Sequence, residues 1–195
     1  MGQIIYNLLQ ETGLHIDDAV RQHLFAAIST DTGSFQFACT TARSHRIAAE
    51  MIDDGLDIAT LCRSLYHTYP KRRLRLMQAL LNEMTFSADD RIVSWTLTQK
   101  LMDEVGVQPG DTEGLIDTLR AVDSVISAVI FEEVPDGRIR VSARSKDTRL
   151  NVANICLQFG GGGHAMAAGA RIKGTAPEVA ARFLAPLEEA VRRIS

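Results

Sequence analysis

The sequence has few of the features that mark secreted, membrane or disordered proteins. Its 195 residues include three cysteines, five prolines and only 6% aromatic residues, and none of its apolar runs approaches the ~20 residues that a membrane span needs. Cys39, Cys62 and Cys156 are odd in number and far apart, which argues against a disulfide framework and predicts a reduced, cytoplasmic protein. The hydrophobic content of 46% is enough to bury a core, in one domain or in two small ones.

The charge is nearly balanced in total but is unevenly distributed. The net charge is −3, yet residues 70–76 carry four basic side chains and no acidic one, and residues 134–149 carry five basic and two acidic side chains. Basic segments in an otherwise acidic protein predict focused attraction of an anion. For Lys71–Arg75 alone, ordinary solvated surface charge is the favoured interpretation.

The hydrophobic periodicity changes from helical to strand-like near residue 86. Before it, apolar residues recur at helical spacing, with a break expected at Pro70. After it, Val93, Trp95 and Leu97 alternate with polar residues, as in a strand. Helices are predicted over residues 2–12, 42–54, 58–84, 112–122 and 150–159. Two more helices are predicted, one that begins at Asp17 or Asp18 and one that begins after Thr175. Strands are predicted over residues 93–97, 124–134, 138–145 and 168–173.

The segment RIRVSARS, residues 138–145, is the predicted second arm of a hairpin. Alternation puts Ile139, Val141 and Ala143 on one face and the polar side chains on the other. Three guanidiniums, those of Arg138, Arg140 and Arg144, therefore share a face. This pattern fits either an anion-binding surface or an edge strand that protects itself with charge.

Four consecutive glycines follow at positions 160–163, immediately before His164. Glycine adopts positive φ freely, so backbone N–H groups could curl into an anion-binding nest, with His164 as an additional donor. Small residues from Ala165 to Ala170 would let a neighbouring backbone pack closely behind the loop. A flexible linker is the alternative, although it would not require the histidine or the small apolar residues, and we favour the phosphate-binding loop.

A second polar group lies at Thr30, Asp31 and Thr32, where an apolar segment ends in a glycine turn. A carboxylate flanked by hydroxyls suits a hard divalent cation. A lone aspartate in this setting is more often a turn cap. The residues alone therefore leave both interpretations open.

Several motifs of this sequence resemble those of a known family. STDTGSFQF, residues 29–37, with the helix that follows it, resembles the last metal-binding motif of the DHH phosphoesterase superfamily. VSARSK, residues 141–146, and NVANICLQFGGGGHAMAAG, residues 151–169, resemble the DHH-associated C-terminal domain, whose glycine-histidine loop holds the phosphate end of a substrate. The segment between them, residues 111–133, is similar to the subgroup of bifunctional oligoribonucleases and adenosine-bisphosphate phosphatases, the nanoRNases.

The resemblance implies an α/β fold class. A mostly helical remnant of a DHH domain, with a linker helix, is expected over residues 1–85, and a smaller mixed-sheet α/β DHH-associated domain over 86–195. The implied activity is hydrolysis of short RNA oligonucleotides, and of adenosine 3′,5′-bisphosphate, with two manganese ions. By motif, Asp31 and His164 would be catalytic, Asp31 as a metal ligand. Substrate would be held by Arg144, Ser145, Gly161, Gly162, Gly163 and His164.

The sequence departs from the family pattern because the aspartate-rich N-terminal half and its Asp-His-His triplet are not present. We therefore expect nucleotide binding with little hydrolysis by this polypeptide. The apolar stripe of the first helix predicts self-association, as a homodimer. Two other functions remain open: a RecJ-like single-strand DNA exonuclease, and a non-catalytic nucleotide- or RNA-binding module.

Overall fold

The computed structural model describes residues 1–194, which form a mixed arrangement of helices and a six-stranded sheet. The predicted α/β fold class is confirmed. The chain divides into two compact units, residues 1–69 and residues 70 onward. Within the described residues, none of the helices combines the length and apolar character required to cross a bilayer.

The first unit is helical, and its helix ends follow local chemistry. Gly13 ends the first helix in the left-handed conformation, with φ of 66°. Asp17 caps the second through a hydrogen bond from the Val20 N–H, and Thr41 forms a capping box with Ser44 at the third. The helices are α1 Gly2–Thr12, α2 Asp18–Asp31, α3 Ala42–Asp53 and α4 Ile58–Tyr66.

The core of this unit gathers Tyr6, Phe25, Ile28, Ile47 and Met51 from the first three helices. The side of α1 that carries much of its apolar stripe remains exposed. Ile4, Ile5 and Leu8 are 66%, 44% and 57% exposed. The homodimer expected from this stripe stays a prediction.

The second unit is built on one mixed sheet of order β1-β2-β3-β4-β6-β5, in which β2 and β3 are parallel and the other pairs are antiparallel. Its strands are β1 Thr85–Ser87, β2 Ile92–Leu97, β3 Ser127–Val134, β4 Arg138–Ser145, β5 Gly162–His164 and β6 Ala167–Lys173. Its helices are α5 Lys71–Glu83, α6 Gln99–Val105, α7 Leu115–Arg120, α8 Val152–Leu157 and α9 Ala176–Arg192.

The two faces of this sheet are covered differently. Helices α8 and α9 pack on one face, where Val141, Ala168 and Phe183 share a buried cluster. Helices α5 and α7 pack on the other face, mainly over β2 and β3 around Trp95 and Ile130, and α7 also contacts β4. On β4, β6 and β5 the second face carries only exposed or half-exposed side chains, and we call this surface the open face. It comprises Arg138, Arg140, Ser142 and Arg144 of β4, Ala167, Gly169, Arg171 and Lys173 of β6, and Gly162 and His164 of β5.

Most predicted elements are present, with differences in extent. The break at Pro70 is confirmed, since α4 ends at Tyr66 and α5 begins at Lys71. The helix α5 was expected to belong to the first domain, residues 1–85. In the structure Leu76 and Leu80 of α5 pack with Trp95 in the second unit. Helices α7 and α8 are shorter than predicted, and β1, α6 and β5 were not predicted.

Candidate phosphate-binding site

The arginine-bearing strand β4 has the predicted two-faced pattern. Ile139, Val141 and Ala143 are buried in the core, and the arginines lie on the open face. Because β4 pairs with β3 on one side and β6 on the other, it is an interior strand. The interpretation of its arginines as protection of a sheet edge is therefore wrong.

Arg144 and His164 lie in one row across three strands. Arg144 is opposite Ala167 of β6, and Ala167 is in turn opposite His164 of β5. Paired residues project from the same face of a sheet, so both side chains belong to the open face, with backbones about 10 Å apart, or two strand spacings. Within residues 1–194 the Arg144 guanidinium donates only to the Ala143 carbonyl, at 3.1 Å, and the exposed His164 ring has no hydrogen-bond partner.

Two of the glycines are required by packing. A Cβ added to Gly161 would lie 2.2 Å from the carbonyl oxygen of Gly169, and one added to Gly163 would lie 2.6 Å from that of Ala167. Gly163 also has φ of 143°, which favours glycine. These two positions therefore let β5 lie close against β6.

The predicted nest has a different form in the structure. Gly162, Gly163 and His164 make strand β5 at the edge of the sheet, and positive φ occurs at Gly160 and Gly163, which are not adjacent. A flexible linker does not describe this paired strand either. Because β5 is an edge strand, half of its backbone groups face away from β6 and are not used by the sheet.

Gly162 is the one glycine of β5 without a packing reason. A Cβ added there would meet nothing within 4 Å, and its φ lies outside the positive region. It sits opposite Gly169 on the open face, one row from Arg144 and His164. Ser142, Gly169 and Gly162 thus form a low floor on which a solute can approach the main chain.

Ser145, which the family motif pairs with Arg144, lies on the opposite face of β4. It is fully buried, and its hydroxyl donates to the Asp147 carbonyl at 2.8 Å while accepting from the Asp147 N–H at 3.1 Å. This corrects its expected placement, because one residue along a strand reverses the side-chain direction. Ser145 shapes the turn after β4 and is not available on the open face.

Two basic residues of the open face were not among the predicted site residues. Arg171 is paired with Arg140, and Lys173 with Arg138. Both are exposed, whereas Ala168, Ala170 and Ile172 of the same strand are buried. The alternation in AAGARIK was the available signal, but only the register of β6 against β4 shows that these charges extend the same face.

The basic segment 71–75 has a structural role in part. Arg72 donates to the Asp111 carboxylate at 2.6 Å, and Arg73 donates to the backbone carbonyl of the same residue at 3.0 Å. The hydrogen bond from Arg72 holds the pKa of the Asp111 carboxyl below its usual range. These two arginines fix the turn before α7, so solvated surface charge alone does not describe this segment.

Asp31 is the last residue of α2 in the first unit. Its side chain is 55% exposed and accepts a hydrogen bond from the Met1 ammonium at 3.0 Å. The flanking hydroxyls of Thr30 and Thr32 donate to helix carbonyls, at 2.8 and 2.7 Å. Those hydroxyl protons therefore satisfy the backbone of α2.

The described residues do not fit a two-manganese centre. Such a centre needs several carboxylate or imidazole ligands around each ion. Residues 1–194 contain no group of three or more histidine, cysteine, aspartate or glutamate side chains that could hold a metal ion. Asp31 remains a predicted single ligand.

The sequence is similar to those of several named proteins. The chain is 31% identical over 173 residues to the bifunctional oligoribonuclease and PAP phosphatase NrnA of Thermus thermophilus, covering 89% of this chain and 51% of that protein. It is 29% identical to the probable NrnA of Streptococcus mutans, covering 87% of this chain and 53% of that protein. The chain thus spans about half the length of these curated relatives.

A solved structure supports the fold. An exopolyphosphatase-related protein from Bacteroides fragilis superposes with a TM-score of 0.86 at 24% identity, covering 98% of this chain and 57% of that one. The DHHA1 domain model matches residues 95–193, which include every strand of the open face. The resemblance drawn from the sequence motifs is confirmed, and this chain belongs to the DHHA1 domain family.

Proposed function

We propose that the open face binds the phosphate end of a short RNA oligonucleotide or of adenosine 3′,5′-bisphosphate, as the substrate-holding part of a phosphoesterase. The observation that carries the proposal is the row formed by Arg144, Ala167 and His164, beside the uncovered main chain of Gly162. A guanidinium, an imidazole and bare backbone on one face are suitable donors for a phosphate.

Each residue contributes in a different way. The Arg144 guanidinium donates to two phosphate oxygens at once, as planar guanidinium groups do. A ring N–H of His164 donates to the same group from the other side, and Gly162 lets the phosphate approach the backbone. Gly161 and Gly163 act by holding β5 against β6.

The substrate class rests on the relatives, whose names give oligoribonuclease and PAP phosphatase activities. Hydrolysis would require metal ligands in addition to Asp31, so we expect the 195-residue polypeptide to bind substrate and to turn it over very slowly. A catalytic contribution of His164 would come from holding the phosphate that it contacts.

Isothermal titration calorimetry with adenosine 3′,5′-bisphosphate tests this function, with adenosine as the phosphate-free control. We expect saturable binding of the bisphosphate, retained in EDTA, and stabilisation against unfolding by about 2.7 kcal/mol at 100 times the Kd. Absence of binding, or equal binding of adenosine, would refute the phosphate site.

A hydrolysis assay with manganese and a dinucleotide RNA tests the second part. We expect almost no product from the purified polypeptide. Robust turnover would contradict the expected requirement for further metal ligands while leaving the binding site intact.

A further inference from the structure

We infer that the open face holds a second phosphate position, at Arg171 and Lys173, so that it binds the backbone of a single-stranded oligonucleotide along β6. The inference rests on the proposed function, because it takes the Arg144–His164 row as the first phosphate position. Affinity should therefore depend on oligonucleotide length, through Arg171 and Lys173.

The strand register places the two positions along one line. On the open face β6 presents Ala167, Gly169, Arg171 and Lys173 in succession. Alternate residues of an antiparallel strand are about 6.8 Å apart, so the rows of Arg171 and Lys173 lie about 14 and 20 Å from the Arg144 row. Between them is the low floor at Gly169, with no long side chain to obstruct a ligand.

The charges at the second position are uncompensated. Arg140 on the same face is hydrogen-bonded to the Glu132 carboxylate at 3.1 Å, and Arg138 lies 3.9 Å from Asp136. Arg171 and Lys173, in contrast, are exposed and form no ion pair with any residue from 1 to 194. Free cations on an open surface attract polyanions and gain a partner when a phosphate arrives.

The composition of the face indicates how a strand would be recognised. Apart from the His164 ring, none of its strand residues has an aromatic side chain on which bases could stack. Binding would therefore follow the phosphate backbone, with strong salt dependence and little base preference. Helix α7 contacts both β3 and β4, so it borders the open face on the side of β4 that is away from β6. We therefore expect the bound oligonucleotide to run along β6.

The decisive experiment compares Arg171→Ala/Lys173→Ala with a charge-matched control, Arg182→Ala/Arg193→Ala. Arg182 lies on α9 and Arg193 is the C-cap of α9, the helix that packs on the other face of the sheet. Binding of adenosine monophosphate and of a tetranucleotide RNA is measured for both variants and for the unmodified chain. All four residues are exposed, and circular dichroism with thermal unfolding verifies that each variant is folded.

We expect the Arg171→Ala/Lys173→Ala variant to bind the tetranucleotide roughly 2- to 30-fold more weakly, the effect of two exposed ion pairs. Its slope of log affinity against log salt should decrease by about 1.4, at about 0.7 per phosphate contact on a single strand. Binding of the monophosphate should change less than twofold, and the control variant should retain the original length dependence.

Each other result overturns the inference in a distinguishable way. If neither ligand binds the unmodified chain, the proposed function fails and the inference fails with it. If both ligands bind but the two double variants behave alike, only the second phosphate position is refuted. If inorganic tripolyphosphate binds as tightly as the tetranucleotide, with the same loss in the Arg171→Ala/Lys173→Ala variant, the site takes polyphosphate and the assignment to oligonucleotides is wrong.

Discussion

Replacement of Gly162 by alanine tests whether this glycine serves ligand binding, whereas Gly161 and Gly163 are required by packing. A Cβ at this position meets nothing within 4 Å, and the backbone conformation is open to any residue. We therefore expect Gly162→Ala to leave the free energy of unfolding unchanged or to raise it by about 0.4–1 kcal/mol, because alanine restricts the unfolded chain.

Ligand affinity should respond in the opposite direction. The added methyl group occupies the space through which a phosphate reaches the main chain, and loss of one hydrogen bond to a charged group costs about 1.5–3 kcal/mol. Affinity for adenosine 3′,5′-bisphosphate should then fall about 10- to 150-fold. Calorimetry measures the affinity, and urea unfolding measures the stability.

Gly161→Ala is the matched control, one residue away. Its Cβ would lie 2.2 Å from the Gly169 carbonyl oxygen and 2.6 Å from the Ala170 Cβ, so we expect a loss of stability of about 1–3 kcal/mol. If Gly162→Ala binds the bisphosphate as tightly as the original chain, the argument that this glycine is kept open for a ligand is wrong.

Two further predictions concern residues outside the open face. Burial raises the pKa of the Cys156 thiol to about 11, so near pH 8 Cys156 should resist alkylation in the folded protein while the exposed Cys39 reacts. Peptide mass spectrometry measures the order of modification, and faster alkylation of Cys156 than of Cys39 would contradict this prediction. Asp111→Ala should lower the free energy of unfolding by about 1.5–3 kcal/mol by removing the acceptor of Arg72, and an unchanged urea midpoint would contradict this role. Since the folded pKa of Asp111 is depressed, its contribution should be present above the unfolded value of about 3.9 and be lost as the pH falls through the lower folded value.

The elements with strong local signals were predictable from the sequence. The Gly13 stop of α1, the Asp17 cap of α2 and the alternating residues of β4 all identify their elements by chemistry that acts within a few residues. Strand β5 was not predictable in this way. It has three residues, two of them glycines, and exists because of its pairing with β6.

The candidate site was predictable in its residues but not in its arrangement. Arg144 and His164 were identified from charge and from the glycine run, and their presence on one face depends on β6, which pairs with both strands. The pairing of β6 with β4 also places Arg171 and Lys173 on the open face. Ser145 was predicted beside Arg144 in the substrate site because the two are neighbours in a sequence motif. Adjacent side chains of a strand point to opposite faces, so Ser145 is buried while Arg144 lies on the open face.

The most direct measurement of the central claim is histidine-selective NMR during a titration with adenosine 3′,5′-bisphosphate. The chain has five histidines, which makes assignment by single substitutions practical. We predict that the His164 ring resonances shift and saturate at the calorimetric Kd, and that Arg144→Ala weakens this response together with the affinity. Saturable binding that leaves the His164 resonances unmoved would contradict the claim that this residue and Arg144 hold the nucleotide phosphate.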